Sequence, residues 1–261
     1  MKKSLRMDFY RILTSQKFWG AIIGIAVVSV LNSLNFLLSR NDIIQIFSAG
    51  DAPFFSIAIL ILETLPFGMV FCEDWENRYI RSSVIRISST KYALSKVITC
   101  FYSALLAGLL GRLLFVLLLS PFISPVDTNK NSFIVNAINN PQGAAWFLAN
   151  SQYLAWIFIE SIERSLQGGI YATFALFVST TMTNMFVTLA IPVVSYYIYQ
   201  SIYNILGLPN FFAITAIYEN DSIFPKNLFY GVIYAFLFAA VFSAIFGVLF
   251  MRGVKRRLEN G

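Results

Sequence analysis

Two side chains of opposite charge lie deep inside long apolar runs of the sequence. Glu63 stands near the middle of the run 53–72, and Arg112 stands inside the run 97–120. If the two runs are antiparallel helices, Glu63 lies about 15 Å and Arg112 about 12 Å from the same outer end, so their depths nearly coincide. A buried ionisable group is costly unless it is paired or hydrated. We therefore expect the two to pair, either to line or gate a path through the protein or to lock two helices together.

Three further charged residues lie closer to the predicted outer end of the molecule. Glu160 and Arg164 have the i, i+4 spacing of an ion pair on one helix, so they are expected to satisfy each other. Glu163 lies between them in the sequence and is a second possible partner for Arg112. We include Glu163 among the residues predicted to line the path.

Tyrosines recur along the apolar run 185–203. Tyr196, Tyr199 and Tyr203 have the spacing of one helical face. An aromatic belt at the outer membrane surface explains Tyr203 best. Tyr196 is deep enough to belong to a half-polar wall that faces an amphipathic substrate, and Tyr199 is placed with it.

The composition sets the class of protein. Of the 261 residues, 57% are hydrophobic and 12% are charged, and the mean hydropathy is +0.69. Soluble domains carry about twice that charged fraction. Repeated apolar runs of about 19 residues or more predict an all-α polytopic membrane protein, since a barrel would show short alternating segments.

Several functional classes are excluded or disfavoured by residue counts. The chain has no histidine, which excludes most zinc hydrolases and serine–histidine proteases. Its two cysteines lack metal-binding spacing, and no nucleophile accompanies the buried glutamates. The net charge of +6 comes from basic residues at the span ends, so a nucleic-acid partner is not expected. We predict no catalytic site, no metal and no cofactor on this chain.

The apolar runs predict one transmembrane domain over 1–261. The segment 1–17 is predicted to be an interfacial helix on membrane lipid, with Leu5, Phe9, Ile12 and Leu13 on its apolar face. A loop is expected at 40–52 and external segments at 121–151 and 204–227, the last with short re-entrant helices. The six predicted spans are about 18–39, 53–72, 97–120, 165–183, 185–203 and 228–251, and the fourth is either part of one long helix from Gln152 or preceded by an interfacial helix.

The orientation follows from the distribution of lysine and arginine. With both termini inside, the internal segments 1–17, 73–96 and 252–261 hold 5, 5 and 4 basic residues. The external loops hold only three, Arg40, Lys130 and Lys226. This bias places both termini and the segment 73–96 in the cytosol.

The segment 73–96 is longer and more ordered in pattern than a simple connection requires. Ile80, Val84 and Ile87 recur at i, i+4 and i+7, which predicts a brief helix with one apolar face. Basic residues surround that face behind an acidic opening. Such a helix can be presented to another protein in the cytosol.

This layout resembles the permease subunit of an ABC transporter of the type 2 exporter class. Glu73, Arg81, Ser89 and Lys96 match the charged motif between spans two and three of that family, and Arg78 stands where the family commonly has glycine. The resemblance implies that 73–96 is a coupling helix that docks into a separate ATPase subunit. The residues implied in the contact are Glu73, Asp74, Glu76, Arg78, Ile80, Arg81, Val84 and Arg86.

The resemblance further implies a non-catalytic subunit of an exporter in a bacterial plasma membrane. A homodimer or heterodimer of permeases would move a peptide, drug or lipid-like cargo. ATP and Mg²⁺ would be bound by the partner ATPase, because this chain has no GxxxxGK[ST] phosphate loop. The residues themselves leave open an ion-coupled secondary transporter or channel that uses Glu63 and Arg112, and a membrane enzyme that uses one of the buried glutamates.

Overall fold

The structure is a computed structural model that describes residues 2–38, 42–49, 53–80, 84, 88–123, 135, 144–218 and 228–260. Every regular element in these ranges is helical, which confirms the all-α class. The elements are α1 (Lys2–Leu13), α2 (Gln16–Leu38), α3 (Ile43–Ala49), α4 (Pro53–Thr64), α5 (Val70–Glu76), α6 (Ser89–Leu119), α7 (Ala145–Ala149), α8 (Tyr153–Ser179), α9 (Met185–Leu206), α10 (Ile214–Tyr218) and α11 (Leu228–Asn260), with a 3-10 helix at Asn210–Phe212.

Four helices in the described ranges are long and apolar enough to cross a membrane. These candidate spans are Gln16–Leu34, Ser89–Leu119, Met185–Leu206 and Tyr230–Glu259. They correspond to predicted spans one, three, five and six and are compatible with a multi-pass membrane protein. The second predicted span is broken, and the polar residues of α8 lower the hydropathy of the fourth. The six-span topology therefore stays a prediction.

The predicted span 53–72 is not one helix, and that prediction is wrong in its continuity. Helix α4 ends at Thr64, a turn covers 65–69, and α5 starts at Val70. Pro66 has no backbone N–H to continue the α-helical ladder. The Gly68 N–H donates to the Thr64 carbonyl at 2.8 Å and closes the turn. Glu63 therefore lies at the end of a short helix, directly before a break in the chain.

Helix α6 lies at the centre of the bundle and packs against α1, α2, α4, α8 and α11. It begins at Ser89, so the last part of the predicted cytoplasmic segment 73–96 is the first two turns of this helix. Its buried face is rich in small residues, which let neighbouring helices approach closely. They include Ala93, Ser103, Ala104, Ala107, Gly108 and Gly111.

The predicted loop 40–52 contains helix α3. Asp42 caps this helix, because its Oδ1 accepts from the Gln45 N–H at 2.9 Å. Ile44 and Phe47 are buried, and the Phe47 ring packs edge-on against Trp156 at 5.5 Å. Apolar residues of the predicted loop are therefore part of the core. The segment is too short for its apolar residues to have predicted a helix.

Other boundaries also differ from the sequence prediction. Helix α8 is continuous from Tyr153, so the long-helix alternative is confirmed, and it ends at Ser179 instead of 183. Helix α11 continues through the basic tail to Asn260. Short helices lie in both predicted external segments: α7 in the first, and the 3-10 helix and α10 in the second.

Helix α1 is present, but its buried face is more polar than predicted. Ser4, Asp8 and Ile12 are buried at helical spacing, whereas Leu13 is exposed. Met7 and Tyr10 are exposed with Leu13. Of the apolar residues that α1 exposes for a lipid surface, only Leu13 was among those predicted.

Candidate functional site

Glu63 and Arg112 form the predicted pair. Arg112 Nη1 donates to Glu63 Oε1 at 2.7 Å and to Ser165 Oγ, on α8, at 3.0 Å. The exposed fractions of Glu63 and Arg112 are 1% and 6%, so both charges are removed from solvent. We call Glu63 and Arg112 the deep pair. It joins α4 to α6, and Ser165 adds α8 to the contact.

Two glycines make room for the Glu63 carboxylate. A Cβ atom on Gly108 of α6 would lie 2.2 Å from Glu63 Oε1. A Cβ atom on Gly168 of α8 would lie 2.0 Å from Glu63 Oε2. Both distances are far below van der Waals contact, so only glycine fits at either position with the carboxylate in this place.

A second arginine and a small cavity lie beside the deep pair. Arg164 lies 3.6 Å from Glu160 Oε2, donates to the Phe47 carbonyl at 3.4 Å and stacks 5.2 Å from the Phe47 ring. The i, i+4 pairing of Glu160 with Arg164 is thus confirmed. The cavity between Arg112, Arg164 and Gln167 is about 10 Å³. That volume holds about one water molecule.

Glu163 is half-buried on α8. Arg112, its predicted alternative partner, donates to Glu63 and Ser165. Burial raises the pKa of the Tyr218 hydroxyl, and the nearby negative charge of Glu163 adds to that rise. Within the described residues, no ion pair joins Glu163 to Arg112, and Arg112 pairs with Glu63 instead.

The tyrosines of α9 connect it to neighbouring helices. Tyr196 is half-buried and packs edge-on against Tyr171 of α8, with ring centroids 6.2 Å apart. The Tyr199 hydroxyl donates to the Phe212 carbonyl, and the Tyr203 hydroxyl lies 3.1 Å from Asn210 Oδ1. Tyr199 and Tyr203 thus hold the 3-10 helix, whereas Tyr196 packs against a buried residue of α8.

A second ionic centre lies where α1, α5 and the start of α6 meet. Lys96 Nζ lies 2.8 Å from Asp8 Oδ1 and 3.1 Å from Asp74 Oδ2. Arg11 Nη1 lies 2.7 Å from Asp74 Oδ1, and its Nη2 lies 2.8 Å from a Glu73 carboxylate oxygen. We call Asp8, Arg11, Asp74 and Lys96 the inner network. It joins α1 to α5 and α6, the helices that lead into and out of the predicted cytoplasmic segment.

Neutral groups complete the inner network. Tyr92 donates to Asp74 Oδ2 at 2.8 Å, and Ser95 donates to Asp8 Oδ2 at 2.6 Å. The Lys96 ammonium lies 5.2 Å from the centroid of the Phe67 ring. Glu73 also pairs with Lys17 at the start of α2. Each carboxylate of the network therefore has at least two partners.

The predicted coupling residues lie in three different environments. Asp74 and Ile80 are each 2% exposed and face the interior, and Glu73 is occupied by Arg11 and Lys17. Glu76 and Arg78 are exposed, and Val84 is half-buried. Arg81 and Arg86 lie outside the described residues. Among the described members of this set, Glu76 and Arg78 are therefore the exposed residues.

Arg78 adopts a backbone conformation that favours glycine. Its φ is 56°, in the left-handed region, and its N–H donates to the Trp75 carbonyl at 3.0 Å. This is the position where the resembled family commonly has glycine. The turn that ends α5 is thus formed with arginine in a glycine-like conformation.

Asp8, Ser165 and Gly108 were not predicted from the sequence. Asp8 is the only acidic residue among the first 41, and an isolated acid in a basic helix was a usable signal for a buried partner. Ser165 and Gly108 carried no comparable signal, because serine and glycine are common in apolar helices.

No family model, curated protein or solved structure matches the chain.

Proposed function

We propose that this chain is the permease subunit of an ATP-driven exporter, energised by a separate ATPase that docks on the segment 77–88. The observation that carries the proposal is that the deep pair and the inner network join the same two parts of the chain at two depths. Both link the α4–α5 region to α6, and the cytoplasmic segment is the connection between them. A force applied to that segment acts on both ionic centres.

The geometry supports transmission over the required distance. Lys96 and Arg112 are on one continuous helix, 16 residues or about 24 Å apart. Glu63 and Asp74 are on opposite sides of the break at 65–69. Movement of α5 relative to α4 can therefore change the deep pair, while α6 acts as the rigid reference.

The cargo class follows from the side chains that line the bundle. The half-buried Tyr196 and the neighbouring aromatic rings suit an amphipathic molecule such as a peptide, drug or lipid. Only 11% of the apolar stretch of α9 is buried inside the structure. Its apolar side chains are therefore available to lipid or to a second permease chain. We place the protein in a bacterial plasma membrane, with six spans and both termini in the cytosol.

A charge-reversal experiment on the exposed part of the cytoplasmic segment tests the proposal. In affinity-tagged chain purified from its native membrane, Arg78→Glu with Tyr79→Asp should abolish co-purification of ATP-hydrolysing activity. The control Arg6→Glu reverses another exposed cation on the same predicted side and should retain the ATPase. If the wild-type chain brings no ATPase with it, or if the double variant retains it, the proposed docking role is wrong.

An ion-coupled transporter is the second candidate, and the buried charge of the deep pair is the observation that favours it. The two candidates differ in their energy source. Membrane vesicles that accumulate cargo from an imposed ion gradient, without ATP, would favour the second. Uptake that needs ATP in the absence of a gradient would favour the first.

A further inference from the structure

A groove of about 690 Å³ opens where α5 and α8 end beside the last turns of α11. Its apolar walls are Trp75, Phe177 and Leu249, and its basic rim is Arg252, Arg256 and Arg257. The groove is separate from the deep pair and shares no residue with it. An apolar wall beside a cluster of cations is suited to an amphiphile with an anionic head.

Arg257 is a fixed part of the groove. Its Nε donates to the Thr180 carbonyl and its Nη2 to the Thr181 carbonyl, both at 2.6 Å. Its guanidinium also lies 5.2 Å from the Trp75 ring. These contacts satisfy the carbonyls at the end of α8 and hold a positive charge at the rim.

Arg252 and Arg256 are differently placed. They are exposed, four residues apart and on one face of α11, where two like charges repel each other. Within the described ranges, neither forms an ion pair with a carboxylate, whereas the neighbouring Lys255 pairs with Glu259 at 3.8 Å. An anion between the two arginines would remove the repulsion and accept hydrogen bonds from both.

We infer that this groove binds the phosphate of an anionic phospholipid from the cytoplasmic leaflet, with an acyl chain along Phe177 and Leu249. The position agrees with this occupant, because α11 changes there from an apolar span to a basic end. The same phosphate chemistry is offered by inorganic phosphate, which lacks a chain for the apolar walls. The inference requires the proposed orientation in the membrane but not the ATPase.

Lipid binding to the purified full-length chain tests the inference. The chain in detergent micelles is titrated with phosphatidylglycerol, and bound lipid is counted by native mass spectrometry. Arg252→Gln with Arg256→Gln should weaken the tightest phosphatidylglycerol site about thirtyfold, since each basic group near an anionic surface contributes about a fivefold change. Lys255→Gln, on the same helix but paired with Glu259, should change it less than twofold.

The other outcomes overturn the inference in distinct ways. Equal weakening by Lys255→Gln would mean diffuse attraction to the basic tail. Equal binding of phosphatidylcholine would mean that the headgroup charge is not recognised. Displacement of phosphatidylglycerol by millimolar inorganic phosphate would assign the groove to a free phosphate.

Each result is obtained without an ATPase, so it is independent of the proposed docking role. Unchanged thermal unfolding of the variants would exclude misfolding as the cause.

Discussion

The deep pair and the inner network are both buried ionic contacts, yet they differ in the elements that they join. The deep pair connects the end of the short helix α4 to α6, with Ser165 of α8 in contact with Arg112. In the inner network, each carboxylate is shared between a cation on another helix and at least one further donor. The deep pair therefore lies beside a break in the chain, whereas the inner network connects three helices through several shared charges.

This difference suits the two places in the fold. A network with several shared partners resists displacement and can hold α1, α5 and α6 together as one unit. The deep pair lies next to a break in the chain, so a small movement of α4 can separate its two charges. Separation is costly in a dry interior, so the deep pair favours two discrete arrangements over a gradual change.

Loss of one charge from the deep pair should have the largest effect. Glu63→Gln leaves Arg112 buried without a counter-charge, and we expect a loss of about 3–5 kcal/mol in the free energy of unfolding. Thermal unfolding of the purified variant measures it. The double variant Glu63→Gln with Arg112→Met removes both charges and should recover most of the loss. A single variant as stable as the wild type would show that the pair contributes nothing.

Filling the space at Gly168 should have the next largest effect. Gly168→Ala places a methyl group 2.0 Å from Glu63 Oε2, so the carboxylate or α8 must move. We expect a loss of about 1–3 kcal/mol, as for overpacking of a core. Gly20→Ala is the matched control, because nothing lies within 4 Å of its added Cβ. That control should be neutral or should stabilise α2 by about 1 kcal/mol. Equal effects at both positions would contradict the close fit.

One charge removed from the inner network should cost less than one removed from the deep pair. In Asp74→Asn, Lys96 keeps Asp8 and Arg11 keeps Glu73. We expect a loss of about 1–2 kcal/mol, the cost of weaker hydrogen bonds without an isolated charge. The same unfolding assay checks it, with Glu63→Gln as the reference. A larger loss for Asp74→Asn than for Glu63→Gln would reverse the comparison between the two centres.

The sequence was sufficient to predict the helical class and the deep pair, because apolar run length and charge depth are local properties of each run. Four of the predicted spans are present as long apolar helices. It was not sufficient to predict the inner network, because Asp8 and Lys96 are 88 residues apart and nothing local links them. Pro66 and Gly68 indicated the break after Glu63, but the length of the apolar run 53–72 favoured a continuous span. The glycine fit around Glu63 depends on the approach of α8, which only the packed bundle determines.

The smallest predicted effect is at Arg78, and it separates a structural turn from a docking contact. A non-glycine residue in the left-handed region costs roughly 1 kcal/mol, so Arg78→Gly should raise the free energy of unfolding by about that amount. Asn77→Gly is the control; with φ near −78° it gains nothing from glycine and should lose stability.

If Arg78 only forms the turn, Arg78→Gly keeps the ATPase bound while Arg78→Glu with Tyr79→Asp releases it. If Arg78→Gly also releases the ATPase, the guanidinium itself is part of the contact. Binding then explains why an arginine stands at a strained backbone position. If Arg78→Gly instead lowers the free energy of unfolding, the backbone at Arg78 is not strained, and the turn does not explain the residue.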